Sequence, residues 1–271
     1  FAQSQKNGFG LELLKMNFNN QKQKIKYRYT SDNFPVQYVS EIIHVPALRG
    51  LPERNYPITG IGNKFPGTFD KYIASVIYFW SISKNNKLKE LENNLTLLSL
   101  TNKVITEKVD DTQVEIRVGR ILNNSEGSTD MVSIADVGFG VSQVLPVLVA
   151  LLVAKPNQLV YIEEPEIHLH PRAQAELGNI LADAAKRGVK IVVETHSDLL
   201  IRRIQSLVAE DKIDTDKVIL HWFSRDEKGF TQITSTELDQ AGAIGDWPED
   251  FSEVRFAEQV RYIDAAEAKL M

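Results

Sequence analysis

The amino-acid sequence predicts an α/β fold in which helices flank a parallel sheet, with a mixed α+β part before it and a short extension after it. Two observations predict the sheet. From residue 136 to residue 222, helix patterns alternate with strand patterns, which is the order of elements that builds parallel sheets. Residues 159–162, LVYI, are apolar without alternation, as is typical of a strand that is buried on both faces. With 271 residues, of which 43% are hydrophobic, the chain can form one large core or two smaller ones.

Composition and charge restrict the class of protein. A formal net charge of -5 argues against binding of nucleic acid over the whole surface, although a local basic strip stays compatible with it. The chain has no cysteine for disulfides or thiolate metal sites, and we expect it in the reducing cytoplasm. Its longest apolar stretch, residues 144–154, is about half of the roughly 20 residues that cross a membrane, so we expect no membrane association.

Residues 1–125 are expected to form the first of three parts. Strand patterns occur at residues 24–29, 41–46, 104–106 and 114–118, and helix patterns between residues 68 and 100. The loop at residues 48–56 carries Arg49 and Arg54, which either face phosphate oxygens or pair with surface carboxylates. A polar run at residues 123–130 places the end of this part near residue 125.

Residues 126–223 carry the regular alternation, and residues 224–271 are expected to form a hairpin and a helix. Helices are predicted at residues 136–154, 171–187 and 198–210, and strands at residues 159–162, 190–194 and 217–222. The helix from Pro171 is strongly specified, because proline is favoured in the first turn and Gly188 fits the position after the last one. One apolar stripe of this helix is expected to face the core: Ala173, Leu177, Ile180, Leu181 and Ala184.

Polar clusters follow the elements of this alternating part. In the segment DVGFGVSQ, Gly138 and Gly140 let the backbone approach an anion, and Ser142 can cap the next helix. Taken alone, that pattern also fits an ordinary helix start. Glu163 and Glu164 leave the apolar strand on opposite sides, so that one can hold a metal ion while the other faces an attacking water.

A histidine follows the next strand of the alternating part. His196 can donate a hydrogen bond to a phosphate oxygen, or it can be a structural residue, and Ser197 or Asp198 can cap the helix after it. Open α/β sheets bind their ligands at the carboxyl ends of the strands. Neighbouring strands that end in a pair of glutamates and in a histidine therefore favour a functional site.

A zinc or manganese hydrolase is a competing interpretation. Its ligands would be Glu163, Glu164, His168, His170 and His196, because the spacing puts His168 and His170 on one side of an extended segment. Two observations argue against it. Prolines bracket a turn in this segment, and no Asp-x-Asp or further histidine cluster follows.

Taken together, these motifs resemble the ABC-type ATPases of the SMC, RecF and OLD kind, above all bacterial ATPases of this group that carry a C-terminal extension. The resemblance covers residues 41–256. The strongest segments are DVGFGVSQVLP, similar to the signature segment, YIEEPEIHLHP, similar to the Walker B motif and D-loop, and ETHSDLL, similar to the switch-histidine loop. The segments VPALRGLPERNY and AGAIGDWPEDF are also similar. Several motifs in this order and spacing are highly specific.

The resemblance implies a P-loop NTPase fold, with ATP and magnesium as cofactors. Glu163 corresponds to the residue that helps to hold magnesium, Glu164 to the catalytic glutamate that positions water, and His196 to the histidine that senses the γ-phosphate. Three residues match the signature that contacts the ATP bound to the opposite subunit of a head-to-tail homodimer: Gly138, Gly140 and Ser142. The D-loop at the seam of that dimer would contain His168 and His170.

The Walker A loop of these ATPases is missing from the 271 residues. It reads G-x-x-x-x-G-K-S/T, and in the glycine-rich segment at residues 57–67 Lys64 follows Asn63, while Phe65 replaces the hydroxyl. Because the chain begins at Phe1, we expect the loop in upstream sequence and weak ATP binding by this chain alone. The expected function is ATP hydrolysis that is coupled by dimerisation to DNA or to an effector such as a nuclease. The alternative is a regulatory module that does not bind nucleotide.

Overall fold

The computed structural model describes residues 38–62, 64–120, 130–245 and 250–270, with side chains of the last helix described from residue 257 to residue 269. The predicted strand at residues 24–29 and most of the polar run at residues 123–130 lie outside the described residues. The strands are β1 (Ile43–Val45), β2 (Tyr56–Pro57), β3 (Val104–Lys108), β4 (Gln113–Gly119), β5 (Met131–Ser133), β6 (Leu159–Glu163), β7 (Lys190–Glu194), β8 (Ile219–Arg225) and β9 (Thr231–Glu237). The helices are α1 (Ile73–Ile82), α2 (Asn86–Leu97), α3 (Phe139–Val153), α4 (Pro171–Lys186), α5 (Asp198–Ala209) and α6 (Asp250–Leu270).

A parallel sheet with the order β1-β6-β7 forms the centre of the alternating part. The helix α3 packs against β1 and β6, and α4 packs against β7. This arrangement confirms the predicted α/β class with a parallel sheet flanked by helices. It also brings the carboxyl ends of three strands to one edge.

Only one face of the parallel sheet is buried in the part of the chain that the structure describes. On β6, Val160 and Ile162 are fully buried, whereas Tyr161 between them is partly exposed. Tyr161 pairs in register with His44 and with Val192, which is 50% exposed. Among the described residues, β6 is therefore fully buried on one face and only partly buried on the other, which differs from the predicted burial on both faces.

A second sheet is antiparallel and belongs to the first part of the chain. Its order is β2-β4-β3, with β5 beside β4. The helix α1 packs on these strands, and both α1 and α2 also contact α3. The side chains of α3 are buried along most of its length, because it lies between these helices and the parallel sheet.

The helix α4 begins and ends where the sequence predicted. Pro171 is its first residue, His170 is the N-cap, and Gly188 follows the helix with a φ of +85°. All five residues of the predicted stripe are buried. Among the described residues, no helix has both the length and the apolar character that crossing a membrane requires.

The predicted strand at residues 217–222 was assigned to the wrong sheet. β8 does not continue the parallel sheet but pairs with β9 in an antiparallel hairpin. The predicted turn at residues 225–229 connects the two strands, with hydrogen bonds from Gly229 and Phe230 to Asp226. The expected boundary at residue 223 falls inside β8.

Candidate functional site

The ends of β6 and β7 bring the two predicted polar clusters together. Glu163 is paired in register with Glu194, and the N–H of Glu164 donates to the carbonyl of Glu194 at 2.8 Å. His196, two residues beyond β7, has its Nε2 atom 3.3 Å from Oε1 of Glu164. The structure thus places a carboxylate and an imidazole at one edge of the sheet, where α/β proteins bind ligands.

Glu163 is held from the side of β1. Its Oε1 lies 2.8 Å from Nε2 of His44, and its Oε2 accepts the N–H of Ala47 at 3.0 Å. The Ala47 N–H, and after it the bond with His44, hold the pKa of Glu163 below its ordinary value. This carboxylate is therefore ionised at neutral pH. Sequence reasoning missed His44 and Ala47. His44 lies in the predicted strand at residues 41–46 and Ala47 directly follows it, but the sequence did not show that this strand pairs with β6.

The carboxylate of Glu163 fits the magnesium ion that the resemblance implies. Mg²⁺ prefers hard oxygen ligands, takes few of them from the protein and keeps several waters. Glu163 is ionised and only partly buried, and its two oxygens keep acceptor capacity beyond the bonds with His44 and Ala47. The group could therefore take part in holding the ion directly or through water.

The turn after β6 has an unusual backbone. Glu164 has a φ of +45° and His168 a φ of +65°, both in the left-handed region. This region costs a non-glycine residue roughly 1–2 kcal/mol, so surrounding contacts must stabilise it. The N–H of Ile167 donates to the carbonyl of Glu164 at 3.3 Å and closes the turn.

Arg49 stabilises this turn from the interior. Its side chain donates to four main-chain carbonyls, those of Pro46, Gln143, Glu163 and Glu164, at 2.6–3.0 Å. The residue is only 7% exposed, and burial lowers the pKa of its guanidinium. Neither expected role of Arg49, facing phosphate or pairing with a surface carboxylate, is correct, because sequence patterns do not show which loop residue turns inward.

Arg54 does pair with a surface carboxylate. Its two terminal nitrogens donate to the two oxygens of Asp136 at 3.0 and 2.7 Å, and both side chains are exposed. This pair links the loop that contains Arg49 to the segment before α3. The phosphate-binding interpretation of Arg54 is not what the structure shows.

Glu166 is a buried carboxylate that sequence reasoning missed. Its Oε1 accepts the hydroxyl of Thr195 at 2.5 Å and the N–H of His196 at 2.9 Å. These two bonds attach the loop that contains His196 to the turn after β6. Ser197 then caps α5 by accepting the N–H of Leu200, as predicted.

The glycine segment before α3 is built differently from the prediction. Gly138 is the N-cap, and α3 begins at Phe139, so Ser142 lies inside the helix. The Ser142 hydroxyl donates to the carbonyl of Phe139 at 3.0 Å, and the prediction that Ser142 caps the helix is wrong. Gly140 faces the turn after β6, since a Cβ there would lie 3.3 Å from the carbonyl oxygen of His168.

The two D-loop histidines do not join the glutamates. The exposed ring of His168 contacts Phe139, with ring centroids 5.6 Å apart. His170 caps α4 through Nδ1, which accepts the N–H of Arg172. Within the described ranges, no three histidine, aspartate or glutamate side chains are grouped so that they could hold a metal ion. The zinc or manganese site that would use all five predicted ligands is therefore not formed.

Residues 12–202 match the family model described as "AAA domain, putative AbiEii toxin, Type IV TA system". The matched stretch contains Arg49, the glycine segment before α3, both glutamates and His196. No curated protein matches the chain.

Solved structures with similar folds include several SMC head domains. A head bound to the C-winged helix domain of ScpA has 15% identity and a TM-score of 0.41, covering 62% of this chain and 50% of that one. A structure described under ATP-driven dimerisation and DNA-stimulated activation of SMC ATPases has 11% identity and a TM-score of 0.40, covering 68% of this chain and 95% of that one. The Smc head domain from Pyrococcus yayanosii has 15% identity and a TM-score of 0.39, covering 60% of this chain and 27% of that one. The chain thus spans half of the first of these proteins, and such distant similarities do not assign a function.

Proposed function

The chain belongs to the AAA-domain family whose model matches residues 12–202, and from this premise we propose that it is the ATP-hydrolysing part of a dimeric ATPase. The observation that carries the proposal is the 3.3 Å contact between Glu164 and His196 at the carboxyl edge of the parallel sheet. An acidic residue and a histidine at such an edge suit phosphoryl transfer to water, which demands positioning and charge stabilisation.

Glu164 is the proposed base. Its carboxylate would orient a water molecule and accept its proton, while the water oxygen attacks the γ-phosphorus of ATP and the bond to the bridging oxygen of ADP breaks. The side chain of His196 is 78% exposed and could donate a hydrogen bond to a γ-phosphate oxygen. Glu163 would hold magnesium, which when bound neutralises charge on the phosphates.

The partner is proposed to be a second copy of the chain. Gly138, Gly140 and Ser142 would contact the ATP of that copy, with His168 and His170 at the seam. Apolar side chains are exposed beside this region: Leu48 is 92% exposed, Leu51 76% and Phe139 46%. The loop of the two leucines is bonded to α3 through Gln143, so the apolar residues are near the glycine segment. Exposed apolar groups of this kind favour association.

Glu164→Gln in the full-length protein tests the proposal. ATP turnover should fall by at least roughly 100-fold, while ATP binding persists and ATP-dependent dimers accumulate. The control is Glu107→Gln on β3, where the carboxylate pairs with Arg117 outside the site. Unchanged turnover in Glu164→Gln would remove the basis of the proposal.

One sequence observation favours a second candidate, a regulatory module without nucleotide. The 271 residues contain no G-x-x-x-x-G-K-S/T segment to cradle the β- and γ-phosphates. Titration of this chain with magnesium and ATP separates the candidates. Tight binding contradicts the regulatory module, whereas absent binding in both this chain and the full-length protein supports it. Coupling to DNA or to a nuclease effector, and a cytoplasmic location, remain part of the first proposal.

A further inference from the structure

Arg49 occupies a buried position between three segments of the proposed site. Its Nε donates to the carbonyl of Pro46 at 2.9 Å, in the loop after β1. Its Nη1 donates to the carbonyl of Gln143 in α3 at 2.8 Å. Its Nη2 donates to the carbonyls of Glu163 and Glu164 at 2.6 and 3.0 Å. One guanidinium therefore connects the loop after β1, the helix after the glycine segment and the end of β6.

The two bonds from Nη2 act directly on the backbone of Glu164. The carbonyl groups of Glu163 and Glu164 lie on either side of the φ torsion of Glu164, which has the unfavourable value of +45°. A donor that binds both carbonyls at once fixes the rotation between them. The direction of the Glu164 side chain, and its 3.3 Å contact with His196, follow from that rotation.

The contact with α3 is reciprocal. The side-chain amide of Gln143 donates to the carbonyls of Arg49 and Gly50 at 3.3 and 3.2 Å, and Gln143 is buried. Gln143 lies one helical turn after Phe139, the first residue of α3. The backbone of Arg49 is thus tied to the same helix that the side chain of Arg49 binds.

Only arginine meets the geometry of this position. Its planar fork offers five N–H donors in fixed directions, whereas lysine offers three donors from a single nitrogen and cannot reach carbonyls on three segments together. The negative charges of Glu166 and Asp70, and after them those of Glu163 and Glu164, raise the pKa of Arg49 and oppose the effect of burial, which lowers it.

We propose that Arg49 is a positioning residue for hydrolysis: it holds the backbone of Glu164 in its left-handed conformation and joins it to α3. The inference rests on the proposed function, because Glu164 is there the base. Arg49 contacts no substrate in this scheme and acts through Glu164 alone.

Arg49→Lys and Arg49→Gln in the full-length protein test this role. We expect kcat for ATP to fall by roughly 100-fold in both, because small displacements of a catalytic group have effects of this size. Affinity for a slowly hydrolysed ATP analogue should change by less than about threefold, since ground-state binding is retained. The matched control is Arg117→Lys, where a half-buried arginine bonds the carbonyl of Met131 in the other sheet.

A double variant separates positioning from general structural damage. If Arg49 acts through Glu164, then Arg49→Lys combined with Glu164→Gln is no slower than Glu164→Gln alone. If the rate losses of the two single variants multiply in the double variant, Arg49 supports the fold in general, and the inference is overturned. If the Arg49 variants do not fold, Gln143→Met serves instead, because it removes only the amide bonds to the loop. We expect Gln143→Met to lower kcat by roughly tenfold. An unchanged kcat in this variant would also overturn the inference.

The outcomes distinguish this inference from the proposed function. Active wild-type protein, inactive Glu164→Gln and fully active Arg49→Lys would contradict only the role of Arg49. Turnover that is the same in the wild-type protein and in Glu164→Gln would contradict both.

Discussion

Nε2 of His196 lies 3.3 Å from Oε1 of Glu164, and main-chain bonds hold the two residues in this relationship. The N–H of Glu164 donates to the carbonyl of Glu194, and the N–H of His196 donates to the buried carboxylate of Glu166. The backbones are therefore fixed while the imidazole stays exposed. An exposed ring on a fixed backbone can meet a ligand without reorganisation of the site.

His196→Ala should reduce turnover without destabilising the protein. Loss of a hydrogen bond to a charged phosphate oxygen, about 1.5–3 kcal/mol, corresponds to roughly 10- to 100-fold in kcat. The free energy of unfolding should stay within about 0.5 kcal/mol of wild type, because the side chain is mostly exposed. Steady-state ATPase assays and urea titration measure the two quantities. His221→Ala is the control, since the ring of His221 bonds Ser235 in the hairpin, away from the site. Wild-type turnover in His196→Ala would exclude the phosphate contact.

Local signals in the sequence were sufficient for much of the fold. Pro171 and Gly188 specify both ends of α4, because each residue has a strong conformational preference of its own. The alternation of elements predicted that Glu164 and His196 emerge at one edge. The family match confirms the ATPase resemblance on which their proposed roles depend.

The sequence did not reveal the contacts that shape the site. Arg49 binds main-chain carbonyls, which every residue possesses, so no residue type marks its partners. No sequence pattern marked Glu166, which is buried and binds the loop of His196. β8 had the composition of another sheet strand, but pairing with β9 decides where it lies. Such contacts depend on the three-dimensional approach of distant segments.

Glu163 should make stability depend on acid pH. Its pKa is depressed in the folded protein by the N–H of Ala47 and by His44, so its charged form stabilises the fold. That contribution is complete above the unfolded value of about 4.3 and is lost as the pH falls through the lower folded value. Urea unfolding of wild type and Glu163→Gln at several pH values would show it. The difference between their unfolding free energies should shrink as the pH decreases, and a constant difference would contradict the assigned cause.

Gly138 and Gly140 should respond differently to alanine, although both lie in the proposed signature segment. A Cβ on Gly140 would lie 3.3 Å from the carbonyl oxygen of His168 and 3.4 Å from Leu100, whereas a Cβ on Gly138 meets nothing within 4 Å. Gly140→Ala should therefore lower the free energy of unfolding by about 1 kcal/mol, because overpacking exceeds the gain in helix propensity. Gly138→Ala should stay within about 0.5 kcal/mol of wild type.

Gly138→Ala should also prevent ATP-dependent dimerisation. If the open backbone at Gly138 receives the phosphates of the ATP held by a second copy, a methyl group there obstructs the close approach that glycine permits. Gly138→Ala in the Glu164→Gln background should then stay folded but no longer dimerise with ATP, as measured by light scattering after gel filtration. Dimers that form as in Glu164→Gln alone would show that Gly138 faces open solvent and not a partner's nucleotide.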